Sequence, residues 1–395
     1  MKTKLLIFGI TGDLSKRKLL PALSDIVVAG EFDDLSIIGV SRREVDVAAL
    51  LTESLGNADL KARTSVFTMN LAEPSDYAKL KDFINLQDDE QLLAYLSVPP
   101  NSATQIVNLM GQAGINALSV KILFEKPFGL DLSSAQAIIE EAGRYFNENQ
   151  IYRIDHYMAK EVASEIIRLR SNAENHHHHW SNKSVSSIEI IASEEIGVEN
   201  RATFYEQTGA LRDVIQGHLM QLLALVLMDF SSGVDDSLLA SHRLAALERI
   251  KPADPALAMR AQYEGYQQEV GNIGSQTETF ASVVLESDDE RWRGVKISLA
   301  TGKMLAEKKT AITIKYKDGT QDVFEEGGVL VAGGKLPNAY ERVLVAAIRS
   351  EKGIFTSSQE VIRTWMIFDD IQRTWNYDSS DLEVYQPGDE LTIKA

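Results

Sequence analysis

The sequence predicts an α/β doubly wound domain over residues 1–152, followed by an α+β domain with a largely antiparallel sheet over residues 153–395. The first reason is alternation. Short β-rich runs (KLLIFGI, SIIGVS, SVFTMNL, LLAYLSV, VKILFEK) are separated by helical segments starting near Leu14 and Val47, the pattern of βαβ units on a parallel sheet. The second is a change of texture after Ile151: a helix from Arg153 to Arg170, a strand from Ser187 to Ala192 and a long helix from Gln207 to Asp229. Four strands then follow in a row, TFASVVLE, GVKISLA, TAITIKY and DVFEE, with turns such as Lys317-Asp318-Gly319, which reads as antiparallel pairing. From Ala339 to Trp375 apolar residues recur near a helical period.

Composition narrows the function. The chain has 395 residues, 40 Lys+Arg against 57 Asp+Glu, a formal charge of -17, seven His and no Cys. Without thiols there is no disulfide framework, thiolate metal site or cysteine nucleophile, and a reducing, cytoplasmic setting is expected. The acidic balance argues against nucleic acid or an anionic membrane as partner. The N-terminal apolar run is too short for a leader, and Leu219 to Phe230 falls short of the roughly 20 residues a membrane helix needs, so no membrane span is expected.

Gly9-Ile10-Thr11-Gly12-Asp13-Leu14 follows the first strand and opens a helix. There glycines let backbone approach a pyrophosphate and the helix N-terminus supplies free N–H groups. A short Gly-x-x-Gly serves a plain tight turn equally well. Its position at the first βα turn, and the second strand's ending in Ser41-Arg42-Arg43, favour a Rossmann-like dinucleotide site. Arg at that strand end suits the 2′-phosphate of NADP, with NAD still open.

The run GITGDLSKRKLLPAL resembles the N-terminal signature of the glucose-6-phosphate dehydrogenase family. Phe124 to Gly129 is similar to its EKPFG, Tyr152 to Glu161 to its RIDHYLGKE, and Gly209 to His218 to the segment carrying its base, with Gly217 where Asn is usual. Weaker likeness continues through Thr301 to Met304 and Pro337 to Arg342. The resemblance implies oxidation of C1 of a hexose 6-phosphate to the lactone, with hydride passing to NADP or NAD and no metal required. It implies His218 as base with Asp155 orienting it, and His156, Tyr157 and Lys160 on the phosphate. Lys18 and Lys126 would add charge nearby, Lys126 touching both substrate and cofactor beside a cis Lys-Pro bond. Glu194, Asp213, Lys303 and Lys308 would contact the sugar. Gly9, Thr11, Gly12, Asp13, Leu14, Ser41 and Arg42 would hold the cofactor. A homo-oligomer, taken as a dimer, is also implied.

His156 and Lys160 are expected on one face of a helix start, at i and i+4. The alternative is a solvated turn with Lys160 paired to a nearby acid such as Glu161. The cationic set is expected to stand clear of the surplus acids, including Asp318 to Glu326. His176 to His179 read as a solvated loop, with transition-metal chelation as the rival. Between Lys317 and Lys335 the chain is shorter than the usual family member, which leaves room for another sugar. A dehydrogenase akin to the glucose-fructose oxidoreductase group, or a non-catalytic homologue, are further alternatives.

Overall fold

The computed structural model describes residues 2–54, 58–230, 235–326, 337–378 and 381–390. Its strands are β1 (Lys2–Phe8), β2 (Leu35–Ser41), β3 (Thr64–Thr68), β4 (Glu90–Leu96), β5 (Val120–Phe124), β6 (Ile151–Ile154), β7 (Val185–Ser193), β8 (Ala258–Tyr263), β9 (Phe280–Leu285), β10 (Lys296–Gly302), β11 (Lys309–Tyr316), β12 (Gln321–Glu325), β13 (Phe355–Thr356) and β14 (Leu382–Tyr385). The chain divides into two compact units. One comprises Met1–Gly129, Ser133–Ala159 and Lys335–Ser358, the other Leu130–Leu132, Lys160–Gly334 and Gln359–Ala395.

In the first unit the strand order is β3-β2-β1-β4-β5-β6-β13, parallel throughout except for β13, which runs antiparallel to β6. β4 and β5 are almost wholly buried, as strands covered on both faces must be, and so they read as unbroken apolar runs. The order reverses between β1 and β4, the topological switch where such sheets open a crevice at their carboxyl ends.

The expected boundary between residues 152 and 153 falls inside β6. The first unit also takes back the helix Ala339–Arg349, whose Val343, Leu344 and Ala347 join the core formed by Leu5, Ile7, Leu19, Leu23 and Tyr152. Lys121 Nζ donates to the carbonyl of Ala347 and to Ser350 Oγ at this helix's C-terminal end, satisfying carbonyls that have no partner within the helix. The expected continuous helical tail is thus two helices, Ala339–Arg349 and Ser358–Tyr377, divided by β13.

The second unit's sheet has the order β12-β11-β7-β10-β9-β8-β14. Four neighbouring pairs are antiparallel; β7 with β10 and β8 with β14 are parallel. A helical stretch from Ala202 to Leu227 is longer than the dozen apolar residues suggested. Its most apolar window has a mean hydropathy of 1.3 and is 78% buried within the protein, so its apolar character is that of a core helix. Arg243 and Glu360, both fully buried, pair at 2.8 Å and join the helix Leu239–Glu248 to Ser358–Tyr377.

Candidate active site

The first βα turn is built for close backbone approach. Gly9 has φ of +82°, and a Cβ there would run into the carbonyl oxygen of Ser97. Gly12 N donates to Gly9 O at 2.9 Å, and Ser15 Oγ bridges Gly9 O and Ser97 Oγ. The helix opens at Asp13, continues as a π-helical turn over Ser15–Leu19 and becomes α-helical from Leu20. Thr11, Asp13 and Lys18 are exposed, Gly12 and Leu14 half-buried. Asp13 lies 3.6 Å from Arg17. At the end of β2, Ser41 is buried and accepts from Arg43 N, while Arg42 is exposed.

Lys126 follows β5, half-buried, and its bond to Pro127 is cis. The preceding Glu125 accepts a hydrogen bond from the Tyr95 hydroxyl. Burial pushes the Glu125 carboxyl up to about 7, the Asp155 charge adds to the rise and the Tyr95 hydrogen bond opposes it. Asp155 itself is buried and accepts from Tyr157 N at 3.0 Å.

His156 and Lys160 do not share a helix face. Residues His156–Ala159 form a tight 3-10 turn, and Lys160 is extended, with ψ of 159°, as the N-cap of the helix Glu161–Ser171. The Asp155 side chain holds the N–H of Tyr157 in a turn that competes with a continuous helix. The His156 ring packs edge-on to Tyr157 and stacks at 6.4 Å on Tyr340, while Arg342 donates to the Ala159 carbonyl. Tyr340, Arg342, Tyr95 and Glu125 were not among the expected site residues. Tyr340 and Arg342 lie in the Pro337 to Arg342 likeness, which was the available signal. Nothing in the sequence marks Tyr95.

In the second unit His218 is buried on a π-helical stretch, Leu211–Leu219, that also carries Asp213. Such widened turns recur at functional sites. Gly209, at φ +63° and ψ -178°, lets the chain turn into it. Glu278 accepts from Leu211 N at 3.0 Å and its carbonyl from Ala210 N, covering N–H groups at the helix start.

The remaining expected residues are tied to one another or stand apart. Lys303, buried, pairs with Glu194 and lies 5.3 Å above the Tyr205 ring. Asp213 lies 3.4 Å from Arg201. Lys308 is exposed. Lys160 Nζ is 2.7 Å from Glu326, not Glu161, and 3.5 Å from Thr310 Oγ1. The stretch Asp318 to Glu326 is therefore not clear of the cations: a nearly buried ammonium must find a counter-charge, and β11 and β12 bring one. The expected solvated loop at His176 to His179 is a 3-10 turn in which His177 is buried. The rest of the shortened stretch, residues 327–336, lies outside the described residues.

Comparison with known proteins gives two sequence models covering nearly the whole chain. "Glucose-6-phosphate dehydrogenase, NAD binding domain" matches residues 6–165, and "Glucose-6-phosphate dehydrogenase, C-terminal domain" matches 167–332 and 330–394. Glucose-6-phosphate 1-dehydrogenase of Gluconobacter oxydans (strain 621H) is 30% identical over 454 residues, spanning 97% of this chain and 93% of that protein. That alignment is longer than the present 395 residues, so the relative carries residues without counterpart here. The crystal structure of glucose-6-phosphate 1-dehydrogenase from Mycobacterium avium is 28% identical with a TM-score of 0.86, covering 98% of this chain and 94% of that one. A glucose-6-phosphate dehydrogenase in complex with glucose-6-phosphate, 24% identical over 99% of this chain and 95% of the other, shares the fold with a TM-score of 0.88.

Proposed function

The chain belongs to the glucose-6-phosphate dehydrogenase family, and from that premise we propose that it oxidises C1 of glucose 6-phosphate to the 6-phospho-lactone, with NADP preferred over NAD. The observation that carries the reading is His218, an imidazole buried at a π-helical turn inside the family's base-bearing segment. A neutral imidazole is the fitting base near pH 7. His218 takes the proton of the C1 hydroxyl, and Asp155 orients the ring and offsets the positive charge that develops on it. His156, Tyr157 and Lys160 receive the phosphate, with Lys18 and Lys126 adding positive potential. Glu194, Asp213, Lys303 and Lys308 accept or donate hydrogen bonds to sugar hydroxyls.

The glycine turn fits a dinucleotide, because side-chain volume is missing where Gly9 meets Ser97 and a helix opens directly after it. Gly9, Thr11, Gly12, Asp13 and Leu14 would hold the pyrophosphate through their backbone, and Ser41 and Arg42 the ribose and its 2′-phosphate. When bound, the nicotinamide accepts the C1 hydride. This chemistry needs no metal. A cytoplasmic homo-oligomer, most simply a dimer, completes the proposal.

A second reading, a different sugar phosphate on the same scaffold, is favoured by one observation: the chain is shorter than the alignment with its relative. Following the absorbance of reduced nicotinamide with glucose 6-phosphate and each cofactor in parallel, beside a panel of other hexose phosphates, tests both. Turnover with glucose 6-phosphate and NADP is expected. Faster turnover of another hexose phosphate would establish the second reading, and none with any sugar would leave a non-catalytic homologue.

A further inference from the structure

Two imidazoles of the histidine run converge on one carboxylate oxygen from far along the chain. His176 Nε2 lies 3.2 Å and His177 Nε2 3.0 Å from Asp322 Oδ2, and the three ligand atoms lie within 4.8 Å of one another. Ligands around a tetrahedral ion with bonds of about 2.0 Å stand about 3.3 Å apart. Both measured spacings are close to that value.

The contacts around these groups set which atoms are free to bind. Asn175 Oδ1 already accepts from His177 N at 3.1 Å and also faces His177 Nδ1. A carbonyl oxygen can only accept, so Nδ1 carries the ring hydrogen and Nε2 presents a lone pair. That lone pair then faces a carboxylate oxygen at 3.0 Å, an arrangement that a cation held between them satisfies. Asp322 is itself fixed, since Tyr316 Oη donates to it at 2.5 Å and Trp180 Nε1 donates to Tyr316 Oη at 2.7 Å. Hydrogen bonds of this kind behind the ligands orient metal sites. Phe324 and Trp180 pack edge-on to the His177 ring and give the cluster an apolar floor.

We propose that His176, His177 and Asp322 form a binding site for a divalent transition-metal ion of the zinc class, with water completing the shell. Imidazole and carboxylate donors suit such an ion. Its role is structural: it pins the turn His176–His179 to β12, the edge strand of the second sheet, and is independent of hydride transfer.

The test is calorimetric titration of the metal-stripped 395-residue chain with zinc chloride alone, repeated on three variants. Wild type is expected to take up one ion per chain and to melt at higher temperature with zinc. Asp322→Asn should weaken binding at least about tenfold and abolish the melting shift. His176→Gln, a change at a largely exposed ring, should do the same with unaltered melting in the absence of zinc, which guards against misfolding of the Asp322 variant. The double variant His178→Ala, His179→Ala should bind as wild type does. Absence of saturable uptake would overturn the site, leaving an imidazolium–carboxylate contact. So would binding that survives Asp322→Asn and disappears in the His178, His179 double variant, which would be ordinary chelation by a histidine run.

Discussion

The two compact units hold anion-seeking groups in opposite ways. In the first, the turn at Gly9 to Leu14 offers backbone N–H groups at a helix start, and Arg42 stands exposed at the end of β2. In the second, the candidate cations Lys303 and Lys160 are already paired, with Glu194 and Glu326, and the candidate acid Asp213 is paired with Arg201, while Lys308 stands exposed. A backbone cradle carries only partial charge and can remain open to solvent. A whole ammonium buried as Lys303 is cannot stay unpaired, because the desolvation cost exceeds what a lone charge recovers. A phosphate reaching Lys160 must therefore compete with Glu326.

The largest effect should come at the one group assigned to chemistry rather than charge. His218→Ala is expected to lower kcat by about 10²- to 10⁴-fold while nucleotide affinity, read by fluorescence titration, persists. Near-normal turnover would remove His218 from the mechanism.

Next comes the Lys160–Glu326 pair. Lys160→Ala should raise KM for the phosphorylated sugar by about ten- to a hundredfold, the worth of a hydrogen bond to a charged group, with little change for glucose itself. Glu326→Gln should shift KM the other way, by a few fold, since the competing acid is gone. If Glu326→Gln raises KM instead, the pair is a support for the site and the contrast between the units fails there. At the exposed end of the comparison, Arg42→Ala should raise KM for NADP by several fold and leave NAD nearly unchanged, exposed charge pairs being worth about 1 kcal/mol or less. Equal loss with both cofactors would move the 2′-phosphate contact elsewhere.

The smallest effect concerns stability. With its folded-state pKa at about 7, above the ordinary carboxyl value of 4.5, Glu125 binds its proton more tightly when folded. Its contribution to stability is thus present at low pH and is lost as pH rises between those two values. Glu125→Gln should flatten that part of the profile, so that variant and wild type differ more in melting temperature at pH 8 than at pH 5. A constant difference would show the carboxyl ionising normally.

How much of this was legible in the chain depends on the range of the physics involved. The parallel sheet could be read because β4 and β5 are buried on both faces and so appear as unbroken apolar runs. The glycine turn could be read because a left-handed φ at Gly9 and the missing Cβ are local demands. The likeness through Tyr152 to Glu161 marked Asp155, His156, Tyr157 and Lys160, yet the expected shared helix face was lost to a single hydrogen bond from the Tyr157 N–H to the Asp155 carboxylate. The π-helical geometry under His218 left no trace in the apolar period, which is nearly the same for an ordinary helix.

By itself the sequence determined the alternation of elements in the first sheet, the chemistry available at each motif and the family to which those motifs point, since all three are written in neighbouring residues. The tertiary structure alone decided who meets whom across distance. It returned Ala339–Arg349 to the first sheet, where its apolar stripe joined a core built from the distant strands β1 and β5. It set Glu326 against Lys160 and Asp322 against His176 and His177. Amphipathicity and charge state that a partner is needed; only the folded chain, balancing burial against neutralisation, selects which one.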